Sequence, residues 1–340
     1  MSFLGFLRKS NPNLDAVSPS KASARVLVTG AGGRTGSIIV RKLLERGVGE
    51  GAPFAGVRGL VRTEESGQAL VEGLDTLKGL EIVVGDISDP EVLSKAFKGI
   101  DSVVIVLGSK PQRSYLSLAR IFVVKLLTFG YASPQESFVF PEEGTPEQID
   151  WLGQKAQFDA AEAAGVKHVV LVSAMGGAKQ ELETNVVMSN IVRWKRKAEC
   201  ALVASGLPYT VIHLGGLLDI PGGARQLQVA TDDGLLTSLD PLMSPDKAKE
   251  ADEKVADAPK LSMLPREDLA EVCIQCILCP EVACGRSFDL GSSPESEDSA
   301  WSGKLDELLK PLEGNNCTYT EADSAFCALE PPVRTGCQCY

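Results

Sequence analysis

The chain has 340 residues, 44% of them apolar, and a formal net charge of −11. That length holds one large α/β domain, or such a domain with a small second lobe, and the apolar content excludes a disordered protein. The acidic balance excludes broad electrostatic attraction to nucleic acid or anionic lipid, and no run of about 18 uninterrupted apolar residues suggests a membrane span.

Residues 1–24 are polar, carry two prolines, and read as a disordered N-terminal arm. Their Ser-rich, acid-poor make-up leaves a transit peptide as the alternative, but the apolar core of a secretory signal is missing. The expected location is the cytoplasm or the plastid stroma.

From Arg25 onward, short β-branched runs alternate with amphipathic segments. The strand-like runs are RVLVTG, FAGVRGLVR, LEIVVGD, DSVVIVLG, HVVLVSA and YTVIHLG. Helices are expected over 34–46, 89–98, 148–164, 188–205, 266–279 and 301–310. Strands apolar on both faces and separated by helices define an α/β fold with a doubly wound, Rossmann-like parallel sheet. The main domain is read as 25–300. An insertion spans about 110–147, and its apolar middle, RSYLSLARIFVVKLLTFGY, predicts a helix with Arg113, Arg120 and Lys125 as its only charges. A lid, a subunit contact in a homodimer, an interfacial membrane helix over 113–131 and a plain buried helix are the alternatives for it. Residues 214–300, Gly-rich with one strand-like piece, RSFDLG, predict a small C-terminal lobe. Residues 301–340 follow as a helix and a Cys-containing tail.

In VTGAGGRTGSIIV, a strand runs through Gly30, Gly32, Gly33, Arg34, Thr35 and Gly36 into a helix. Glycines there permit a tight turn and let backbone N–H groups approach a pyrophosphate at the positive end of the helix. The context, after the first strand of a doubly wound pattern, is the one the motif requires. At the end of the second strand an NAD site places an acid for the ribose 2′-hydroxyl, whereas GLVRTEES places Arg62. A guanidinium forks onto a phosphate, and Arg34 is placed to close on the same group, so NADP(H) is favoured over NAD(H). In GDISD, Asp86 and Ile87 lie where an adenine would rest, with helix capping by Ser88 or Asp89 as a concurrent use. Leu107 and Gly108, after the fourth strand, complete this cofactor set.

VTGAGGRTG, GLVR, GDISD, QIDWLGQKAQFDAAEAAGVKHVVLVSAMGG, WKRKAECAL and GLPYTVIHLGGLLD, in this order over about Arg25 to Ser293, resemble the atypical short-chain dehydrogenase/reductase family in its NmrA-like branch. The WKRKAE segment is shared with small NADP-binding proteins of plants and algae. The family pairs a Tyr acid with a Lys four residues later that holds the nicotinamide ribose. With Lys195 as that lysine, the Tyr position is Ile191; with Lys197, it is Arg193. The missing Tyr puts ordinary carbonyl reduction in doubt. Lys195 is preferred for the ribose contact because Glu199 falls four residues on, as in the family. Arg196 and Lys197 either line the site or form a solvated helix face. The resemblance makes Ser173 a substrate-orienting hydroxyl and lets Gly215 and Gly216 lie against the nicotinamide. His213 is a substitute acid or a packed strand residue.

Nine cysteines in a chain with no export signal are expected to be reduced. Cys273, Cys276 and Cys279 mimic an iron–sulfur spacing, but they fall on an amphipathic helix, which cannot wrap its own thiolates around a cluster, so no metal site is expected. Cys317, Cys327, Cys337 and Cys339 read as exposed tail thiols, either untied or forming reversible disulfides. Two functions follow from the sequence: an NADPH-dependent oxidoreductase acting on a small carbonyl or conjugated substrate, or a non-catalytic NADP(H)-responsive regulatory protein.

Overall fold

The computed structural model describes residues 24–72, 74, 78–110, 112–113, 124, 138–178, 190–236, 263–293, 301, 303–319 and 323. Strand β1 (Ala24–Thr29) leads through the glycine turn into helix α1 (Arg34–Glu45). Strand β2 (Phe54–Val61), helix α2 (Glu64–Val71), strand β3 (Leu80–Val84), helix α3 (Pro90–Phe97) and strand β4 (Ser102–Ile105) follow. A short antiparallel ladder of β5 (Gln112–Arg113) and β6 (Phe138–Val139) precedes helix α4 (Gly153–Ala164), which is entered through a π-helical turn at Glu147–Leu152. Then come β7 (His168–Ala174), α5 (Ile191–Ser205), β8 (Tyr209–Leu214), β9 (Gly216–Leu218), β10 (Leu227–Ala230), β11 (Met263–Pro265), α6 (Arg266–Leu278), α7 (Pro280–Ala283), β12 (Arg286–Ser292) and α8 (Leu305–Leu309).

Eight strands form one sheet in the order β10-β12-β8-β7-β4-β1-β2-β3. All neighbours run parallel except β10, which pairs antiparallel with β12. The strand RSFDLG, expected within a small lobe, is thus an interior strand of the main sheet, with Asp289 beside His213. Its residues from Ser287 to Ser292 are all buried: Phe288 and Leu290 pack in the core, and the buried Ser287, Asp289 and Ser292 have hydrogen-bond partners.

Helices cover both faces. Ile39, Val40, Leu43 and Leu44 of α1 face one core with Leu269, Cys273 and Ile277 of α6, while Phe97, Phe158, Ala161 and Leu202 fill the other. Full burial of side chains of the Leu, Ile and Phe type is worth about 1.5–3 kcal/mol each. Local signals fix the helix ends. Asp89 caps α3 by accepting from Glu91 N at 2.8 Å, and Pro90 takes the first helical position. The buried Arg58 of β2 donates to the carbonyls of Ala96 and Lys98, at 2.7 and 2.8 Å, and so closes the other end of α3. Chain direction across the sheet reverses between β1 and β4, and ligands of open α/β sheets bind outside the strand ends at that crevice. Most of the 110–147 insertion, the 237–262 part of the expected lobe and the tail beyond Asp323 lie outside the described residues.

Candidate functional site

A cleft of ≈ 280 Å³ opens over the C-terminal ends of β1, β2, β3 and β4. Its floor is the glycine turn, where Gly30 has φ +77°. A Cβ at Gly30 would stand 2.8 Å from Val106 O, and one at Gly36 would stand 2.1 Å from Gly30 O. Both positions therefore exclude every side chain. The N-cap of α1, Gly33, lines the cleft, and the helix has no side-chain cap. Unsatisfied N–H groups and the helix dipole make such an end attractive to an anion.

A second wall carries Arg62, Asp86 and Ile87. Arg62 is exposed at the end of β2, and Thr63 behind it caps α2. Asp86 Oδ1 accepts from Ser88 N at 2.8 Å, which fixes the carboxylate in its turn. The residue that caps α3 is Asp89, so the expected helix-capping use of the segment is present, and Asp86 and Ile87 line the cleft beside it. Ile87 packs on Gly153, where a Cβ would come within 2.4 Å of its Cδ1. The third wall consists of Leu107, Gly108 and Ser109. Glycines that a Cβ would fill, an open helix N-terminus, a guanidinium and a carboxylate on one cleft together fit a nicotinamide dinucleotide.

Two expected cofactor residues are engaged elsewhere. Arg34 Nη1 donates to Asp219 Oδ2 at 2.8 Å, and Thr35 Oγ1 accepts from Arg266 Nη1 at 3.1 Å. Arg266 also bonds Asp219, so Asp219 ties the loop after β9 to the glycine turn. Gly215 occupies the bend before β9, and Gly216 pairs with Met263, whose Sδ would lie 2.5 Å from an added Cβ. Neither glycine is among the residues lining the cleft.

The basic run of α5 is buried, which corrects the solvated-face reading of Arg196 and Lys197. Lys195 Nζ pairs with Asp150 Oδ1 at 2.8 Å and donates to Leu107 O at 3.2 Å. Arg196 bridges Glu199 and Asp323, at 3.1 and 3.2 Å, with its guanidinium 4.1 Å from the Tyr319 ring centroid. Lys197 Nζ lies 4.8 Å from the Trp151 ring centroid. Of these three cations, only Lys195 reaches the cleft wall.

Ser173 is 5% exposed, and its hydroxyl donates to Glu199 rather than lining the cleft. Glu199 Oε2 meets His213 Nε2 at 3.0 Å, and His213 Nδ1 lies 3.4 Å from both Asp289 Oδ1 and Cys317 Sγ. Burial alone would raise the Glu199 carboxyl. The charge and hydrogen bond of His213, with Arg196 and Ser173, bring it down to about 2. Burial likewise opposes the His213 cation, but Glu199, Asp289 and Cys317 hold its pKa well above the ordinary histidine value. His213 is therefore a packed strand residue with several polar partners, set back from the cleft. Cys317 is a correction too: it is 5% exposed and part of this buried cluster, not an exposed tail thiol.

Residues 30–280 match the model of the family described as NAD(P)H-binding. The chain belongs to that family, as an atypical short-chain dehydrogenase/reductase. Among its relatives is sanguinarine reductase of Eschscholzia californica, 37% identical over 84% of this chain and 94% of that protein. A chloroplastic protein of Arabidopsis thaliana is 38% identical over 86% of this chain and 77% of its own length. Solved structures share the fold, among them the oxidoreductase YlbE from Lactococcus lactis, with a TM-score of 0.53 and 16% identity over 87% of this chain and all of that one. The anaerobilin reductase ChuY from Escherichia coli O157:H7 has a TM-score of 0.51 and 18% identity over 81% of this chain and 100% of its own.

For a member of the NAD(P)H-binding family, the residues that sequence reasoning missed are as informative as those it found. Asp150 and Ser109 were absent from the expected site, although Asp150 pairs with Lys195 and Ser109 bonds Asp150. Asp150 stands in QIDWLGQK, where an acid near a helix start reads as an ordinary dipole partner. Its burial is what sets it apart, and burial has no signature in one sequence. Cys273 and Cys276 of α6 are 0% exposed, and burial pushes the Cys273 thiol up to about 12. Such thiols pack as apolar groups. Cys327, Cys337 and Cys339 lie outside the described residues.

Proposed function

We propose that the protein is an NADPH-dependent reductase of a small carbonyl or conjugated acceptor. The observation that carries this reading is Arg62 on the same cleft as the glycine turn, at the end of β2, where an NAD site needs an acid. In this reading Gly30, Gly32, Gly33 and Gly36 admit the pyrophosphate, and Arg62 takes the 2′-phosphate. Arg34 joins it after leaving Asp219. Asp86 and Ile87 hold the adenine, with Leu107 and Gly108 beneath the cofactor. Lys195 supports the nicotinamide ribose. NADPH, when bound, supplies a hydride. The chain's own part is to bind and orient, because Ile191 stands where the family places its tyrosine acid. An acceptor whose reduction needs no strong protein acid suits such a site, and kinship with a sanguinarine reductase supports that class of chemistry. The chloroplastic relatives support a plastid location.

The commitment of the Ser173 hydroxyl to Glu199, with Ile191 in the tyrosine position, favours a second reading. In it the protein binds NADP(H) and signals its redox state without turnover. Stereospecifically deuterated NADPH, mixed with the purified protein and a panel of quinones, enals, flavins and sanguinarine, separates the two. Label transfer to any acceptor establishes the reductase. Tight NADPH binding with no transfer across the panel establishes the sensor, and no binding at all removes both.

A further inference from the structure

We propose that Asp150 is the positioning residue for Lys195, and that Gly108 is the window through which the ammonium acts on whatever lies in the cleft. Asp150 is 0% exposed and sits in the π-helical turn before α4. Its two oxygens face different elements. Oδ1 takes Lys195 Nζ at 2.8 Å, and Oδ2 accepts from Ser109 N at 3.1 Å and Ser109 Oγ at 2.6 Å. The carboxylate thus joins the cation on α5 to the loop after β4 that forms the cleft wall.

The turn that carries Asp150 is π-helical. A π turn inserts an extra residue into the ladder and re-aims the side chains on it, and such turns recur at functional sites. Here the re-aimed side chain is an acid driven into a dry wall, a placement stable only when its charge is paired and its lone pairs are filled. Lys195 pairs the charge at Oδ1, and Ser109 donates twice to Oδ2. The ammonium is in turn anchored by Asp150 and Leu107 O, and its side chain is 10% exposed. It approaches the cleft wall at Leu107 and Gly108. A Cβ added to Gly108 would lie 3.7 Å from both Lys195 Nζ and Asp150 Oδ1, and Gly108 lines the cleft. Absence of a side chain there lets an oxygen-rich ligand approach the charge. The other charges near this wall are engaged or exposed: Arg196 and Glu199 bond Asp323 and His213, and Lys110 is exposed.

This inference rests on the dinucleotide reading and extends it to residues outside the glycine motif. The test is a fluorescence titration of the full chain with NADPH at about pH 6 and about pH 9. In the wild type, affinity at the two pH values agrees within about threefold. In Asp150→Asn the ammonium loses the carboxylate that holds it, so NADPH affinity falls about tenfold or more at both pH values. Lys195→Met is weak at both pH values, and the double variant is no weaker than Lys195→Met alone. Gly108→Ala guards against a variant that does not fold: its contacts are ordinary, so thermal stability is retained while NADPH affinity drops about tenfold. Wild-type binding combined with an Asp150→Asn indistinguishable from it at both pH values, or additive effects of the two substitutions, overturns the inference alone. A wild type that binds no NADPH overturns the dinucleotide reading and this inference with it.

Discussion

His213 Nε2 lies 3.0 Å from Glu199 Oε2 where both side chains are under 5% exposed, so a cation and an anion are buried as one unit set back from the cleft. The pair makes stability depend on pH in two directions. Glu199 has its folded pKa depressed to about 2 from 4.5, so its contribution is present above 4.5 and is lost as pH falls toward 2. His213 has its folded pKa raised above 6.5, so its contribution is complete below 6.5 and is lost as pH rises through the raised value. Thermal melts should therefore decline on the alkaline side, and His213→Gln should be less stable at neutral pH but lose that alkaline slope. Removing one partner of a buried pair costs about 3–5 kcal/mol. A slope unchanged in His213→Gln would show that other groups cause it.

His168, the other histidine of the chain, has the opposite sign. It is 2% exposed, its Nε2 lies 2.8 Å from Thr210 Oγ1, and burial lowers its pKa to about 4. With the folded value depressed below 6.5, its contribution is full above 6.5 and is lost as pH falls toward 4. The loss amounts to about 3 kcal/mol. Histidine NMR resolves the two rings without mutation: one imidazole should stay neutral down to about pH 4, and the other should stay protonated past neutrality. Two rings titrating together near the ordinary value would contradict the buried assignments.

Cofactor choice is tested at Arg62. Its exposure means that substitution leaves the core intact, so a change in binding reports on the ligand. Hydrogen bonds to charged groups are worth about 1.5–3 kcal/mol, and Arg62→Glu should therefore weaken NADPH about tenfold to a hundredfold. NADH, lacking the 2′-phosphate, should be affected little or gain affinity from the new acid. Calorimetry with both cofactors checks this, and equal losses for the two would refute a 2′-phosphate role for Arg62.

Strands β1 to β4, β7 and β8 were legible in the sequence because each is a short β-branched run between turn residues, whereas β10, LQVA within a Gly-rich stretch, was not; α1, α3 and α6 were legible through their apolar spacing and their ends. RSFDLG was read as a strand, yet its place in the sheet was not, because a lone run after a long Gly-rich segment carries no sign of which neighbour it joins. The glycine turn was legible for a local reason: Gly30 and Gly36 are contiguous with the strand and helix they join. The surroundings of Arg196 were not. Its partners, Asp323, Thr318 O and the Tyr319 ring, come from more than 120 positions away, and a charged helix face gives no hint of a segment that covers it. Asp150 was hidden for the same physical reason, since its meaning lies in burial against Lys195 and Ser109.

The glycine turn itself gives the sharpest structural prediction. A methyl at Gly36 would stand 2.1 Å from Gly30 O, 2.8 Å from Gly30 C and 2.9 Å from Ala31 Cα, and all three are backbone atoms that cannot swing aside. A methyl at Gly33 meets only Gly30 O, at 3.1 Å, which a small shift relieves. Gly36→Ala must therefore push α1 away from the turn, at an overpacking cost of about 1–3 kcal/mol, and its melting temperature should fall by roughly 2–12 °C. Displacement of α1 also moves its first N–H groups from the cleft, so NADPH affinity should collapse. Gly33→Ala should melt closer to the wild type. Differential scanning calorimetry with and without NADPH reads both effects. A Gly36→Ala protein that keeps wild-type stability and a wild-type shift on adding NADPH would mean that the close contact between α1 and the turn is not what shapes the binding site.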